Sequence, residues 1–339
     1  MKSDDIGENM RILVVGAIKG GTVPIGRAIY SAFKEIGQEA DFLDYSDLLE
    51  EFIQVEAVKD IELTNQFLLK CKIRLLEKVV DFKPEVIFGV AQSPLNNIEV
   101  LCELKKADII LCYWFVEDYR IFEYWKTIAP YFDHFFTIQK DPFWEELNRM
   151  GGHNYHYLPA AFDSNLEFFA DEGNHKISAT FVGAPYANRV HFFGKLRRRD
   201  FEIYGEEWCK YPNPAVKIGD RRISEKEARE IYQRTLINLN LHSNSEPCWP
   251  SGDFVNLRSF ELAGLGAFQL TDMRKLLTLH FDPADEVVAL ASWEDMLKAI
   301  DYFLEHQEER EAFAERAQEH VMKEHTYRHR AEEILSMLP

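Results

Sequence analysis

The stretch Asp253–Asp272, DFVNLRSFELAGLGAFQLTD, predicts a short helix followed by a buried strand. Asp253 is a residue type that caps helix starts, the apolar residues after it supply a buried face, and Gly264 and Gly266 end the helix. The run Ala267–Thr271 (AFQLT) then has the composition of a strand. A helix that leads directly into a buried strand is part of an α/β repeat, so this stretch predicts an α/β fold.

Two charged residues inside this helix, Arg258 and Glu261, are three positions apart and therefore share one face. A helix N-terminus offers free backbone N–H groups and the positive end of a dipole, which suits a phosphate. Arg258 would add a fork of donors for that phosphate, and Glu261 would accept two hydroxyl hydrogens from a ribose. The alternative is a surface salt bridge between the two side chains, which is the commoner role of such pairs.

Composition limits the classes of partner. The 339 residues include 57 acidic and 39 basic side chains, which gives a formal net charge of -18. This charge repels a nucleic-acid backbone and an anionic membrane surface, so neither is an expected partner. The hydrophobic fraction of 46% supports sizeable cores. No run approaches the roughly 20 apolar residues that cross a bilayer.

Cysteine usage and the N-terminus indicate the compartment. The five cysteines are scattered and show no C-x-x-C spacing, which favours reduced thiols and a cytoplasmic location. Residues 1–9 (MKSDDIGEN) are polar and acidic, lack the apolar core of a signal peptide, and are expected to form a flexible tail.

The first half of the chain predicts strands that alternate with helices. Buried strands are expected at Met10–Ala17, Glu85–Ala91, Asp108–Val116, His134–Gln139 and Tyr155–Phe162. The loop at the end of the first strand carries Gly16, Gly20 and Gly21 in the order G-x-x-x-G-G. This order is not G-x-G-x-x-G, so the fingerprint of nicotinamide dinucleotide binding is absent from it.

Glu117 and Asp118 directly follow the predicted strand Asp108–Val116. Ligands of open parallel sheets lie at the carboxyl ends of the strands. The two residues are therefore candidate catalytic carboxylates, with a solvated loop pair as the alternative. His134, His153 and His156 are further candidates, as general bases, although each is more commonly a structural residue.

The polar, turn-rich segment Asp171–His175 (DEGNH) separates these strands from a second α/β series. Strands of that series are expected at Ile177–Gly183, Asp200–Gly205, Leu236–Leu241, Ala267–Thr271 and Glu286–Ala291. The predicted domains are residues 1–170 and 171–320, followed by a C-terminal helix over 321–339. Alternation of this kind implies two Rossmann-like, doubly wound parallel-sheet domains that face a central cleft.

Tyr204 and Trp208 flank Gly205 at a predicted strand end and would stack on a nucleotide base, with a place in the core as the commoner alternative. No Cys, His or Glu set has metal-ligand spacing, so the sequence predicts no metal site. It contains neither a P-loop nor a G-x-S-x-G nucleophile elbow.

Several short motifs, taken in their order along the chain, resemble the CgeB-like (spore-maturation type) glycosyltransferases, a group within the GT-B superfamily that is related to glycosyltransferase group 1. The resemblance covers roughly residues 130–335. The motifs are FT at 136–137, LPAA at 158–161, FVG at 181–183 with Arg189, YG at 204–205 with Trp208, NLRSFE at 256–261, GAFQLTD at 266–272 and HTY at 325–327.

This resemblance implies a GT-B fold with a nucleotide-sugar donor on the C-terminal domain, an acceptor facing the N-terminal domain, and a C-terminal helix that crosses back to the N-terminal domain. It implies that Glu261 binds the donor ribose and that Arg189 meets the diphosphate. Asp253 stands at the first position of the E-x7-E pair of group 1 and is the third catalytic candidate. Within the matching motifs, Gly183, Tyr204, Gly205, Trp208, Asn256 and Arg258 are further donor-site candidates.

The expected function is transfer of a sugar from a nucleotide-diphosphate sugar, a UDP-sugar among the candidates, to an unidentified glycan, protein or small-molecule acceptor. This would make the protein a hexosyltransferase-like enzyme of class EC 2.4. The resemblance implies that it needs no metal or other cofactor, because helix ends and basic side chains offset the charge of the leaving diphosphate. The alternatives are a nucleotide-sugar epimerase or hydrolase on the same fold, and a catalytically inactive sugar-nucleotide-binding protein.

Overall fold

The computed structural model describes residues 9–152, 154–166, 168, 176–196, 200–250 and 252–339. The chain divides into two compact units, Met1–Pro159 with Tyr327–Pro339, and Ala160–Thr326. These divisions lie at 159/160 and 326/327, whereas the sequence placed them at 170/171 and 320/321. The predicted linker 171–175 and most of the predicted tail 1–9 lie outside the described residues.

The first unit contains a six-stranded parallel sheet. Its strands are β1 Arg11–Val15, β2 Glu39–Leu43, β3 Val86–Val90, β4 Ile110–Phe115, β5 His134–Thr137 and β6 Tyr155–Tyr157, in the order β2-β1-β3-β4-β5-β6. The helices between them are α1 Val23–Glu35, α2 Leu49–Val58, α3 Ile61–Phe82, α4 Ile98–Lys106, α5 Trp125–Ile128 and α6 Phe143–Arg149. The strand order reverses between β1 and β3, and ligands of open α/β sheets bind at such a reversal.

The second unit also contains a six-stranded parallel sheet. Its strands are β7 Ile177–Val182, β8 Phe201–Tyr204, β9 Val216–Ile218, β10 Thr235–Asn240, β11 Gln269–Asp272 and β12 Val288–Leu290, in the order β12-β11-β10-β7-β8-β9. Its helices are α7 Ala187–Lys195, α8 Glu225–Arg234, α9 Leu257–Gly264, α10 Trp293–Glu305 and α11 Gln307–Glu324. This is the Rossmann strand order, and it reverses between β7 and β10. The prediction of two doubly wound parallel sheets is confirmed.

The last helix, α12 Tyr327–Met337, belongs to the first unit. Arg330 is buried there and donates from Nε to the carbonyl oxygen of Pro159 at 2.9 Å, and the Tyr327 ring packs on Trp114. The helix predicted over 321–339 is therefore shorter, because α11 extends to Glu324 and ends before α12 begins. Within the described residues, no helix combines the length and the apolar composition that a membrane span requires.

The two ends of the second unit lie side by side. The Phe162 N–H donates to the His325 carbonyl oxygen at 2.9 Å, and Phe162 forms a parallel bridge with Thr326. This pairing explains why residues 160–162 belong to the second unit, although the sequence assigned them to the first. The Phe162 ring in turn packs on Gly264 at the end of α9, where a Cβ would lie 2.2–2.5 Å from three ring carbons.

Replacing Gly264 with alanine is expected to destabilise the protein by about 1–3 kcal/mol, because the new methyl group overlaps a fully buried ring. Gly194 on α7 is the matched control, since a Cβ there meets no atom within 4 Å. Gly194→Ala is expected to be neutral or to stabilise the protein by about 0.5–1 kcal/mol, because glycine disfavours helices. Urea unfolding of the two variants measures both effects, and equal stabilities would contradict the overlap at Gly264.

Candidate functional site

The carboxyl edge of the second sheet brings together most of the predicted donor-site residues. Gly183 follows β7, Gly205 follows β8, His242 lies two residues after β10, and Asp272 ends β11. The strand order reverses between β7 and β10, so the chain leaves these neighbouring strands in opposite directions. Ligands of open α/β sheets bind at this kind of edge.

Gly183 and Gly205 allow two strand ends to approach closely. Both have a positive φ, 149° and 150° respectively. A Cβ on Gly205 would lie 2.5 Å from the carbonyl oxygen of Gly183, and a Cβ on Gly183 would lie 3.0 Å from Nη2 of Arg258. Glycine at both positions therefore leaves the guanidinium of Arg258 against bare backbone at the end of β7.

Arg189 and Arg258 concentrate positive charge at this edge. The guanidinium carbon of Arg189 lies 4.9 Å from the centre of the Phe181 ring, and that of Arg258 lies 5.3 Å from it. Arg258 donates from Nε to the hydroxyl oxygen of Tyr232 at 3.1 Å. Within the described part of the chain, neither arginine forms an ion pair with a carboxylate. The two charges thus lie near each other without a bound counterion, as an anion site requires.

Arg189 is also a structural residue. Its Nε and Nη2 donate to the carbonyl oxygen of Leu241 at 3.0 and 2.8 Å, and its Nη1 donates to that of Ala184 at 3.1 Å. Burial, and then the charge of Arg258, lower the pKa of Arg189 to about 9. Three of its donors are therefore used to hold the segments after β7 and β10, which leaves Arg258 as the better placed of the two for a direct phosphate contact.

Glu261 lies one helical turn after Arg258 on α9 and is half-buried. Its carboxylate accepts no hydrogen bond and forms no ion pair among the residues that the structure describes. Burial raises the pKa of Glu261, although Arg258 partly opposes this. The structure does not contain the surface salt bridge that was the alternative for this pair. A half-buried carboxylate one helical turn from Arg258, with no partner among the described residues, is suited to accept hydroxyl hydrogen bonds.

The N-cap of α9 is Asn256, so the predicted cap at Asp253 is wrong. The Asn256 side chain accepts from the Ser259 N–H at 3.0 Å and donates to Oδ1 of Asn240 at 2.9 Å. Asp253 is buried three residues earlier, and its carbonyl oxygen accepts from the Leu276 N–H. The N-cap of α9 therefore lies three residues later than the predicted cap at Asp253.

His242 fixes this N-cap and was not among the predicted site residues. Its Nε2 accepts from the Asn256 backbone N–H at 3.0 Å, so the ring proton is on Nδ1, which donates to Oδ1 of Asp272 at 2.9 Å. Burial lowers the pKa of His242, in agreement with a neutral ring. Burial alone would raise the pKa of Asp272, but His242 and Arg274 outweigh it and lower that pKa. The sequence did offer one signal for His242 and Asp272, because both lie at the carboxyl ends of predicted strands.

Tyr204 and Trp208 do not form the predicted base-stacking platform. Trp208 is 1% exposed, packs against Phe181 and Phe193, and donates from Nε1 to the Gly183 carbonyl oxygen at 2.6 Å. The Tyr204 side chain lies in a separate buried cluster, and its hydroxyl donates to Glu202. Both rings therefore belong to the cores of the second unit, which was the commoner alternative.

The carboxyl edge of the first sheet holds Glu117 in a hydrogen-bonded network. Tyr124 donates its hydroxyl to Oε2 of Glu117 at 2.6 Å, and the Gln92 side-chain amide donates to Oε1. Gln92 has a positive φ of 66°, and its side chain lies against Gly20, where a Cβ would be 2.4 Å from Oε1 of Gln92. Burial raises the pKa of Glu117, although both hydrogen bonds oppose this. Both donors that reach this carboxylate from the described residues are neutral groups.

Asp118, the next residue, is in a different environment. Its carboxylate forms an ion pair with Arg120, which donates from Nε to Oδ1 at 3.1 Å and from Nη2 to Oδ2 at 2.8 Å. The Arg120 backbone N–H also donates to Oδ1. Asp118 therefore organises the turn after β4, and its charge is neutralised. Of the two candidate carboxylates, Glu117 is the one that has no cationic partner in the part of the chain that the structure describes.

The remaining candidates lie elsewhere or are structural. Gly16 directly follows β1 and lies against the Phe42 ring, and Gly21 is exposed in the glycine loop. His134 begins β5, so it lies at the amino edge of the sheet, where its Nδ1 is 3.1 Å from Nε2 of His156. The two rings therefore contact each other within the sheet rather than the residues that follow the strand ends, which does not support a role as general bases. His153 lies outside the described residues.

Among the described residues, no group of three or more His, Cys, Asp or Glu side chains is placed to hold a metal ion.

Comparisons with known proteins agree with this architecture. Residues 189–336 match the family model described as glycosyl transferase-like. The spore protein CgeB of Bacillus subtilis (strain 168) is 24% identical to this chain over 256 residues, covering 70% of this chain and 78% of CgeB.

Solved structures give the same fold. HepE of Anabaena in complex with UDP-glucose superposes with a TM-score of 0.64 at 11% identity, covering 97% of this chain and 100% of HepE. Sucrose-phosphate synthase from Thermosynechococcus elongatus superposes with a TM-score of 0.63 at 10% identity, covering 96% of this chain and 97% of that one. The predicted GT-B fold and the predicted resemblance to CgeB are confirmed.

The neutral state of His242 predicts a pH dependence of stability. The pKa of His242 lies below the ordinary value of about 6.5, so the unfolded state binds more protons than the folded state when the pH falls below that value. The contribution of the neutral ring to the free energy of unfolding is therefore fully present above about pH 6.5 and is lost as the pH falls towards the lowered pKa. The free energy of unfolding then falls by up to about 1.4 kcal/mol per pH unit.

His242→Gln is expected to reduce this slope, because glutamine does not titrate. Urea unfolding between about pH 5 and 7.5 measures it. His306→Gln, at the partly exposed end of α10, is the matched control and should keep the wild-type slope. Burial also lowers the pKa values of His134 and His156. Wild type and both variants keep these two residues, so their contribution to the slope is the same in all three proteins. Identical slopes for wild type and His242→Gln would contradict a buried neutral ring.

Proposed function

We propose that this protein is a glycosyltransferase that moves a sugar from a nucleotide-diphosphate sugar to an acceptor without a metal ion. One observation carries the proposal. Among the described residues, Arg189 and Arg258 have no carboxylate counterion and Glu261, one helical turn from Arg258, has no partner, at the edge of the second sheet where the strand order reverses. A nucleoside diphosphate supplies the two groups that this arrangement lacks, an anion for the arginines and hydroxyls for the carboxylate.

The proposed donor site follows from the position of α9. Arg258 is the second residue of this helix and Glu261 the fifth, so a diphosphate at the helix N-terminus would place the ribose one turn further along. The dipole of the helix and the guanidinium groups would stabilise the negative charge that grows on the diphosphate as the sugar leaves. Asp253 remains the proposed contact to the donor sugar, on the resemblance to group 1 enzymes alone.

In the first unit, Glu117 is the proposed acceptor-side carboxylate. It is held by the hydroxyl of Tyr124 and the amide of Gln92, so it keeps the capacity to accept a proton from an incoming hydroxyl group. Asp118 is a weaker candidate, because its two oxygens already bind Arg120. This contrast selects one of two adjacent acids that the sequence treated equally.

The donor is proposed to be a UDP-sugar. Support comes from the HepE structure, which has the same fold and contains UDP-glucose. UDP-glucose is therefore the first donor to test, followed by other nucleotide sugars. The acceptor is proposed only as a hydroxyl-bearing glycan, protein or small molecule, and water replaces it in a hydrolysis assay.

Glu261→Gln is expected to weaken binding of UDP by about 10- to 100-fold, since a hydrogen bond to a charged acceptor contributes about 1.5–3 kcal/mol. The substitution keeps the shape of the side chain and removes its charge. Isothermal titration with UDP and with 2′-deoxy-UDP measures the effect. The 2′-deoxy nucleotide already lacks one of the two hydroxyls, so the substitution should weaken its binding less.

Glu294→Gln is the matched control, because Glu294 is exposed in the first turn of α10. It should leave the affinity for UDP unchanged. Equal affinities of wild type and Glu261→Gln for UDP would remove Glu261 from the donor site. Failure of the wild-type protein to bind any nucleoside diphosphate would overturn the proposed function itself.

Chelation tests the proposed independence from metals. Turnover of the donor, measured as release of the nucleoside diphosphate, is expected to stay within about twofold in excess EDTA, since arginines and a helix end rather than a metal would offset the diphosphate charge. Loss of turnover in EDTA with recovery on addition of Mn²⁺ or Mg²⁺ would contradict the proposal.

A further inference from the structure

The helices α2 and α3 carry a concentration of exposed apolar side chains. Among the described residues, nine of the sixteen exposed large apolar side chains lie between residues 49 and 80. α3 has 22 residues, but only Phe67, Cys71 and Leu75 are buried against the core of the first unit. Single exposed apolar residues are normal on a surface, whereas a concentration on one element marks a candidate interaction surface.

Four of these apolar residues form a regular line, here called the α3 stripe: Leu69, Ile73, Leu76 and Val80. Leu69 is 54% exposed, Ile73 46% and Val80 70%, while Leu76 is half-buried. Their spacing is four, three and four residues, so they follow one narrow band on the helix surface. Leu69, Ile73 and Val80 lie on the side of α3 away from its buried residues, and Leu76 also packs at the margin of the first-unit core.

The residue types in the α3 stripe follow the rule for two-stranded coiled coils. The β-branched Ile73 and Val80 occupy the a positions of a heptad, and Leu69 and Leu76 occupy the d positions. This distribution favours a parallel pair of helices. We propose that the α3 stripe is a dimer interface, in which α3 packs in parallel against α3 of a second copy of this chain.

The charges beside the stripe fit an identical partner. Lys72 occupies the g position before Ile73, and Glu77 occupies the e position after Leu76. In a parallel pair, a g residue lies opposite the e residue that follows five positions later on the other helix. Lys72 of each copy therefore meets Glu77 of the other, and the two-fold axis creates this ion pair twice.

Lys72 and Glu77 are available for this role. Within the described part of the chain, neither residue forms an ion pair. The three other basic residues in the middle of α3 are already bound to carboxylates of the same chain, as the pairs Lys70–Glu51, Arg74–Asp47 and Lys78–Asp41. The stripe is thus flanked by one unpaired cation and one unpaired anion, a self-complementary pattern.

The same charges argue against a lipid surface as the occupant of the stripe. A membrane-binding helix carries mainly basic residues beside its apolar face. Here the flanks carry both signs, and the whole chain has a net charge of -18, which an anionic bilayer repels. With only two heptads in the stripe, the dimer is expected to dissociate on dilution in the micromolar range.

Analytical ultracentrifugation of the full chain between about 1 and 200 µM tests the proposal. The wild type is expected to show a reversible monomer–dimer equilibrium. Ile73→Glu is expected to weaken association at least about tenfold, because it places a charge in the apolar seam. Leu279→Glu is the matched control, since Leu279 is 55% exposed in the second unit, and it should dimerise like the wild type.

A charge exchange tests the pairing itself. Lys72→Glu and Glu77→Lys are each expected to weaken the dimer several-fold, because each creates like-charge contacts, and the combined variant is expected to recover the wild-type constant within about twofold. Thermal unfolding checks that all variants remain folded. A wild type that stays monomeric, a dimer that Ile73→Glu leaves intact, or a double variant that fails to recover would overturn the proposal. Binding of monomers to phosphatidylglycerol vesicles that depends on Ile73 would also overturn it and assign the stripe to membranes.

Discussion

The hydrogen bond from the Asn256 backbone N–H to Nε2 of His242 determines where α9 begins. It requires a neutral ring with its proton on Nδ1, and Asp272 stabilises that tautomer because its Oδ1 accepts the hydrogen bond from Nδ1 at 2.9 Å. Because the first turn of α9 carries Arg258, and Glu261 follows one turn later, the proposed donor site depends on this chain of two hydrogen bonds. A carboxylate at the end of one strand thereby sets the position of groups on a helix that it does not touch.

The fold was largely predictable because its local signals agree with one another. Continuous apolar runs mark buried parallel strands, and the start of α8 carries the residue types of a capping box, with Ser224 and Glu227 bonding each other's backbone N–H groups. The start of α9 was predicted three residues too early, since Asp253 and Asn256 are both good caps and only the tertiary contact to His242 selects between them. The unit boundary shifted for a similar reason, because the pairing of Phe162 with Thr326 is invisible to a local pattern.

The site was less predictable than the fold. Composition does not distinguish a stacking tryptophan from a core tryptophan, and Trp208 proved to be a core residue through its packing on Phe181. Glu117 and Asp118 are adjacent acids with the same pattern around them. They differ in their hydrogen-bond partners, which are Tyr124 and the more distant Gln92 for Glu117, and the neighbouring Arg120 for Asp118. Burial and partner identity, which decide the chemistry of a carboxylate, are properties of the assembled sheet edge.

The bridge between Phe162 and Thr326 places the first and last residues of the second unit beside each other. A unit with neighbouring ends can be excised from a chain, or replaced by a homologous unit, at two adjacent junctions without a long linker. The first unit is discontinuous in the sequence, because its last helix, α12, follows the second unit. Any shortening of the gene from its 3′ end therefore removes α12 from the first unit before it affects the second, and chimeras with an exchanged second unit would have to retain that terminal segment.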